Sequence, residues 1–145
     1  MADVVDKATR SRMMSGIKGK NTKPEMVVRQ ALHRAGFRFR IHARGLPGKP
    51  DLLLPKWRAA IFIHGCFWHR HEGCRFTTTP ATRPGFWSEK FAVNVIRDQR
   101  TQAALADAGW RVATVWECAV RRDPAGTTGQ LAQWLTSGLT SVNID

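Results

Sequence analysis

Between His64 and Cys74 the chain places three of its five histidines and two of its three cysteines. These are the side chains that bind borderline metals and move protons near neutral pH. The spacing Cys66-x4-His71-x2-Cys74, with Cys118 further on in Trp116-Glu117-Cys118, offers three thiolates and one imidazole. That is a tetrahedral zinc set, and a site closed by four protein ligands is structural. It uses every cysteine, and an odd cysteine count argues against a closed disulfide framework. The bland alternative makes Cys66 and Cys118 small buried hydrophobes and leaves His71 on the surface.

His64 and His69 remain once the clamp is assigned. His64 ends an apolar run, where functional groups emerge from a sheet, and His69 lies five residues on. Both are candidates for proton transfer or leaving-group stabilisation in phosphate chemistry. Asp51 follows Gly48-Lys49-Pro50 at the mouth of Leu52-Leu53-Leu54, where an acid needs water, a partner or a cation. A hard oxygen donor there suits Mg²⁺; an ordinary turn aspartate is the alternative. On a helix, position 98 falls within about 20° of position 87. Asp98 therefore shares the inward stripe of Trp87, Phe91 and Val95 and needs a partner. A histidine whose tautomer it fixes is one choice, and Arg97 or Arg100 is the other. Glu25 completes the capping pattern Thr22-Lys23-Pro24-Glu25, which is the preferred reading over a place facing a metal site.

Phe67 and Trp68 are consecutive rings among polar, ligating residues, and Trp87 follows a second polar loop. Rigid apolar rings beside a basic surface can enter and open a base stack, and Met13 and Met14 could wedge from the other groove. Trp110, Trp116 and Trp134 read as core. The basic surface is plain from composition: 23 Lys and Arg against 11 acids give +12. Residues 1–44 alone hold 11 basic and 3 acidic residues. A field of that sign attracts a nucleic acid; solubility charge and an anionic membrane surface are the alternatives.

The elements that must position these groups follow from periodicity. At 145 residues, 43% hydrophobic, the chain suits one domain over 1–145, with 1–21 as a basic arm. A helix runs from the capping pattern to Gly36. Phe37–His42 alternates as a half-buried strand, and Asp51–Leu54 and Arg58–His64 follow as an antiparallel meander. Phe86 or Trp87 to Ala108 is the longest helix. Trp110–Trp116 is a strand that can join in parallel with that helix as crossover, and Thr127–Thr136 is a last helix. The expected class is α/β (α+β) in the order α-β-β-β-α-β-α. No stretch is long and apolar enough to span a bilayer, and Met1–Lys7 has no signal-peptide core, so a cytoplasmic protein is expected.

These motifs together resemble the very-short-patch (Vsr) DNA mismatch endonucleases over nearly the whole chain. The likeness runs through Met1–Val4, Asp6–Ser11, Leu46–Asp51, Phe62–His69, Ala81–Arg83, Phe86-Trp87, Glu89-Lys90, Asn94, Arg97-Asp98, Gly109–Val112 and Val115–Cys118. It implies a restriction-endonuclease-like fold with structural Zn²⁺. It also implies Mg²⁺-dependent nicking 5′ of the thymine in T:G mismatches, which arise when 5-methylcytosine deaminates. On that likeness Asp51 and the carbonyl of Ile63 bind Mg²⁺, and His64 and His69 serve hydrolysis with Asp98 orienting His69. Phe67, Trp68 and Trp87 intercalate, Met14 enters from the opposite groove, and Cys66, His71, Cys74 and Cys118 bind zinc. The partner is double-stranded DNA carrying a T:G mismatch. The family likeness also suggests a monomer in the bacterial cytoplasm, nucleoid-associated on DNA, with mismatch-repair accessory proteins. Ile63 stands where the family has Thr, and His71-Glu72-Gly73-Cys74 is one residue longer than the familiar form. The tail after residue 125 carries no recognisable motif. Two rivals are a zinc-stabilised DNA-binding module without chemistry, and a zinc hydrolase, which would need an open coordination position.

Overall fold

A computed structural model describes residues 22–145. The basic arm, Met13 and Met14 lie outside the described residues. A five-stranded mixed sheet of order β1-β2-β3-β4-β5 organises the chain. Helix α1 is Lys23–Arg34, β1 Arg40–Ile41, β2 Leu52–Leu54 and β3 Ala59–His64. Helix α2 is Pro84–Asp107, β4 Arg111–Trp116, α3 Glu117–Arg122, α4 Pro124–Leu135 and β5 Ser141–Ile144. The first three strands pair antiparallel, whereas β4 joins β3 in parallel with α2 as the crossover, as the sequence predicts.

Three expectations are corrected. The strand expected over Phe37–His42 pairs only at Arg40 and Ile41, because His42 turns into the left-handed region (φ 48°). Phe37 and Phe39 still pack on the core. Cys118 lies in α3, not at a strand end; the sequence hid this short helix because Cys118, Ala119 and Val120 are consecutive buried residues without a helical period. A fifth strand follows the last helix and runs parallel to β4. Its signal was only the alternation of Val142 and Ile144, too short to stand out.

The strand period of two sorts the core onto two faces. Leu52, Leu54, Ala59, Ile61, Ala113 and Val115 face α1, α3 and α4 in the larger core, with Val28 and Leu32 from α1. Ala60, Phe62 and Val112 face α2 in a much smaller cluster closed by Leu105. His64 and Trp116 share that second face by the same alternation. The reason it is small is legible in α2. Its inward stripe begins aromatic (Trp87, Phe91), turns polar through Asn94, Asp98, Thr101 and Gln102, and ends apolar at Leu105. The polar middle cannot seal against a sheet, so the helix covers a cleft.

Loop 45–50 closes one wall of that cleft. Gly48 has φ +72° and lies so close to Thr101 of α2 that a Cβ would collide with it, so glycine alone fits. Arg111 anchors the C-terminal end. Its guanidinium donates to the carbonyls of Trp57, Trp134, Leu135, Ser137 and Leu139, capping α4 and fixing the lead into β5. Among the described residues no helix is long and apolar enough to cross a membrane.

Candidate active site

Asp51 sits one residue before β2, and its carboxylate accepts the Ile63 backbone N–H at 2.7 Å. Burial is the largest influence on this carboxyl, and nearby Glu25 adds to it; together they push its pKa up to about 8 against the opposing Ile63 hydrogen bond and Arg29 charge. Glu25 comes from the first turn of α1 and is 1% exposed. Thr22 accepts the Glu25 N–H at 3.4 Å, so the helix start is capped as expected. The Glu25 carboxylate, however, is turned inward. It contacts Arg29 and lies 3.2 Å from Nε2 of His42. The preferred capping role thus describes its main chain, while its side chain turns toward His42 and Asp51. Glu25, His42 and Asp51 form a group close enough to share one cation. Glu25 opposes ionisation of the half-buried Asp51 carboxyl, and a divalent cation between the two would reverse that penalty. The oxygen-rich donor set fits a hard cation such as Mg²⁺.

Across the same cleft, His64 and His69 stack with ring centroids 3.8 Å apart and planes 5° from parallel. Burial first, then the neighbouring His69, drives the His64 pKa down to about 3 against the pull of Asp98, so His64 is neutral. Its Nδ1 is buried and has no hydrogen-bond partner among the described residues. His69 is half-buried, and its Nδ1 lies 2.6 Å from Asp98 Oδ2. Of the two partners open to Asp98, the structure selects the imidazole. A proton on Nδ1 shared with that carboxylate leaves the Nε2 lone pair available to accept another. Asp51, Ile63, His64, His69 and Asp98 all line one open cleft of about 310 Å³, together with Lys49, Arg97 and Gln102.

The loop beyond β3 is built around a second cluster. Ligand atoms of Cys66, His71, Cys74 and Cys118 all lie within 4.8 Å of one another. Cys118 Sγ is 3.4 Å from His71 Nδ1. Zinc bonds of about 2.3 Å to sulfur and 2.0–2.1 Å to nitrogen at a tetrahedral angle require a separation of about 3.5 Å. The donors therefore fit that ion, and the longer His71–Cys74 spacing does not prevent convergence. Burial raises the Cys66 thiol to about 12 and raises Cys118 too. At half-buried Cys74 burial also pushes upward, but hydrogen bonds with the Phe76 backbone, His71, Cys66 and Cys118 together lower the thiol to about 7.

The aromatic side chains form a half-buried cluster between loop and helix. Phe67 meets Trp68 edge-on at 4.9 Å and Phe91 at 5.2 Å, and Trp68 lies 6.0 Å from Trp87. The Lys90 ammonium stands over both Trp68 and Trp87. Trp110 and Trp134 pack as the sequence suggests, but Trp116, expected in the core, is half-buried and lies outside both hydrophobic cores. It stacks on His71 at 4.2 Å and meets His64 edge-on at 5.2 Å, so it bridges the two clusters. The adjoining Glu117 accepts the Cys66 N–H at 3.0 Å. Sequence reading missed His42 and Arg29 at the carboxylate pair. Their one signal was a histidine ending an alternating segment and an arginine four residues after Glu25.

Comparison with known proteins agrees with this architecture. The chain superposes on the catalytic domain of the homing endonuclease I-Bth0305I with a TM-score of 0.55, covering 81% of this chain and all of that domain at 20% identity. That likeness establishes a restriction-endonuclease-like fold. Residues 2–75 match the family model of the DNA mismatch endonuclease Vsr. The type II nicking enzyme V.XorIIP of Xanthomonas oryzae is 49% identical over 81% of this chain and 86% of its own length. The DNA mismatch endonuclease Vsr of Escherichia coli is 44% identical over all of this chain and 95% of its own length. Identity at that level along the whole length, on an endonuclease fold, makes this chain a member of the Vsr family of DNA mismatch endonucleases.

Proposed function

We propose that this endonuclease nicks one strand 5′ of the thymine in T:G mismatches in a Mg²⁺-dependent reaction. The observation that carries the reading is convergence: a half-buried carboxylate from the mouth of β2 and two imidazoles from the end of β3 and the loop after it line one open cleft. Asp51 and the Ile63 carbonyl would hold the cation, with Glu25 beside them. The N–H and C=O of one residue in a strand point to the same edge. The Ile63 N–H already points at Asp51, so its carbonyl lies on that side as well. Asp51 and the Ile63 carbonyl would thereby place Lewis-acid stabilisation at the scissile phosphate and the departing 3′ oxygen.

The chain's own groups do the rest. His69 takes a proton from the attacking water at Nε2, and Asp98 stabilises the imidazolium that results. His64, kept neutral, orients a hydrogen bond in the cleft without adding charge. Lys49 and Arg97 on the rim attract the phosphodiester backbone. Phe67, Trp68 and Trp87 test the base stack, which opens at less cost beside a T:G wobble pair than beside a Watson–Crick pair. Met14 in the basic arm is assigned the same role from the opposite groove. Cys66, His71, Cys74 and Cys118 bind structural zinc, which pins the loop carrying His69 and the rings. The protein acts as one domain over 1–145, a monomer in the cytoplasm, with mismatch-repair proteins as accessory partners.

A nicking assay on otherwise identical duplexes with T:G or T:A pairs is the test. The expected result is a single-strand cut 5′ of the mismatched thymine in Mg²⁺ and none in EDTA. Equal cutting of both duplexes, or full activity in EDTA, rejects the proposal.

A further inference from the structure

The C-terminal strand ends against the cysteine–histidine cluster. Ile144 of β5 pairs with Val115 of β4, which brings Asp145 level with the chain leading into Cys118. Asp145 Oδ2 lies 3.3 Å from Nε2 of His71. The opposite ring nitrogen, Nδ1, faces Cys118 Sγ. That geometry decides the tautomer. A nitrogen that ligates a metal must present its lone pair, so the proton resides on Nε2 and is donated to Asp145.

We propose that Asp145 is a positioning residue for the metal cluster, orienting His71 through its outer ring nitrogen so that Nδ1 faces the cysteines. This inference rests on the reading of Cys66, His71, Cys74 and Cys118 as zinc ligands. Three observations support it besides the distance. The imidazole is buried, with its plane fixed by stacking on Trp116, so it has little freedom to find another acceptor. Trp116 is itself held from β5, donating its indole N–H to Asn143 at 2.9 Å. Asn143 of β5 and Asp145 just beyond the strand thus brace the ring that flanks the ligand and the ligand itself. A carboxylate behind a ligating histidine strengthens metal binding by both orientation and charge, and losing it lowers affinity about 10–100-fold. The inference also gives a role to a tail in which the sequence shows no motif.

The test is equilibrium transfer of zinc from the loaded full-length protein to a chromophoric chelator, for wild type, Asp145→Ala and Asp145→Asn. Asp145→Ala is expected to bind zinc about 10–100-fold more weakly. Asp145→Asn keeps an acceptor for the Nε2 proton but loses the charge, so it should fall between Ala and wild type. Equal affinity of Asp145→Ala and wild type overturns the inference and leaves the cluster standing as a zinc site. Equal weakening in Ala and Asn overturns it too, because the effect would then be loosening of the strand end. A wild-type protein that carries no zinc defeats the cluster reading itself.

Discussion

Asp51→Asn is expected to slow nicking by at least about 10³-fold while binding of a mismatched duplex in EDTA changes little. A bound cation contributes several kcal/mol of transition-state stabilisation, and each 1.36 kcal/mol is about tenfold in rate. Asn keeps an oxygen that can accept the Ile63 N–H, so the local structure is preserved and the missing charge is isolated as the cause. Binding should survive because affinity for DNA comes chiefly from contacts to many phosphates, and the chain carries +12. Burial and Glu25 already push the Asp51 carboxyl to about 8. Removing an acid from that setting is therefore not expected to destabilise the metal-free fold. Single-turnover nicking and gel-shift titration of the same preparation check both halves. A variant that loses binding as steeply as cutting would assign Asp51 to structure.

Loss of the zinc cluster should have the second large effect, on folding and activity together. Structural zinc sites contribute about 10–16 kcal/mol of apparent binding free energy, as much as the whole stability of a typical domain. Cys118 is buried and distant in sequence from Cys66, His71 and Cys74, so a zinc ion held by all four would tie the loop to the start of α3. Cys118→Ala is expected to purify without stoichiometric zinc and to unfold at least about 10 °C lower, corresponding to roughly 3 kcal/mol or more. Nicking should fall with it, because His69 and the rings Phe67 and Trp68 ride on the loop being pinned. Metal analysis and thermal denaturation measure this directly. Full zinc content with an unchanged midpoint would show that the cysteines pack as ordinary hydrophobes.

The two variants separate chemistry from architecture, and that separation mirrors what could be read from the residues. Periodicity located the long helix and the parallel strand, because α2 is long and β3 and β4 are predominantly apolar. It also turned Asp98 inward, and the structure supplied His69 as its partner. Short elements were harder. Two paired residues make up β1 and four make up β5, too few to establish an alternation. Glu25 shows a different obstacle. One residue satisfied a local capping pattern and also a long-range site, and only the local pattern is visible in sequence. His42 and Trp116 escaped for a related reason. Their roles depend on which strands become neighbours, which no spacing along the chain records.

The most direct test of the account is a crystal structure of the protein on a T:G duplex with Ca²⁺ in place of Mg²⁺, so that the substrate stays intact. A cation bound by Asp51 and the Ile63 carbonyl is the expected result. The phosphate 5′ of the mismatched thymine is expected to touch this cation within hydrogen-bond reach of His69. A cation held elsewhere, or a scissile phosphate seated outside the cleft between Asp51 and the stacked imidazoles, would contradict it.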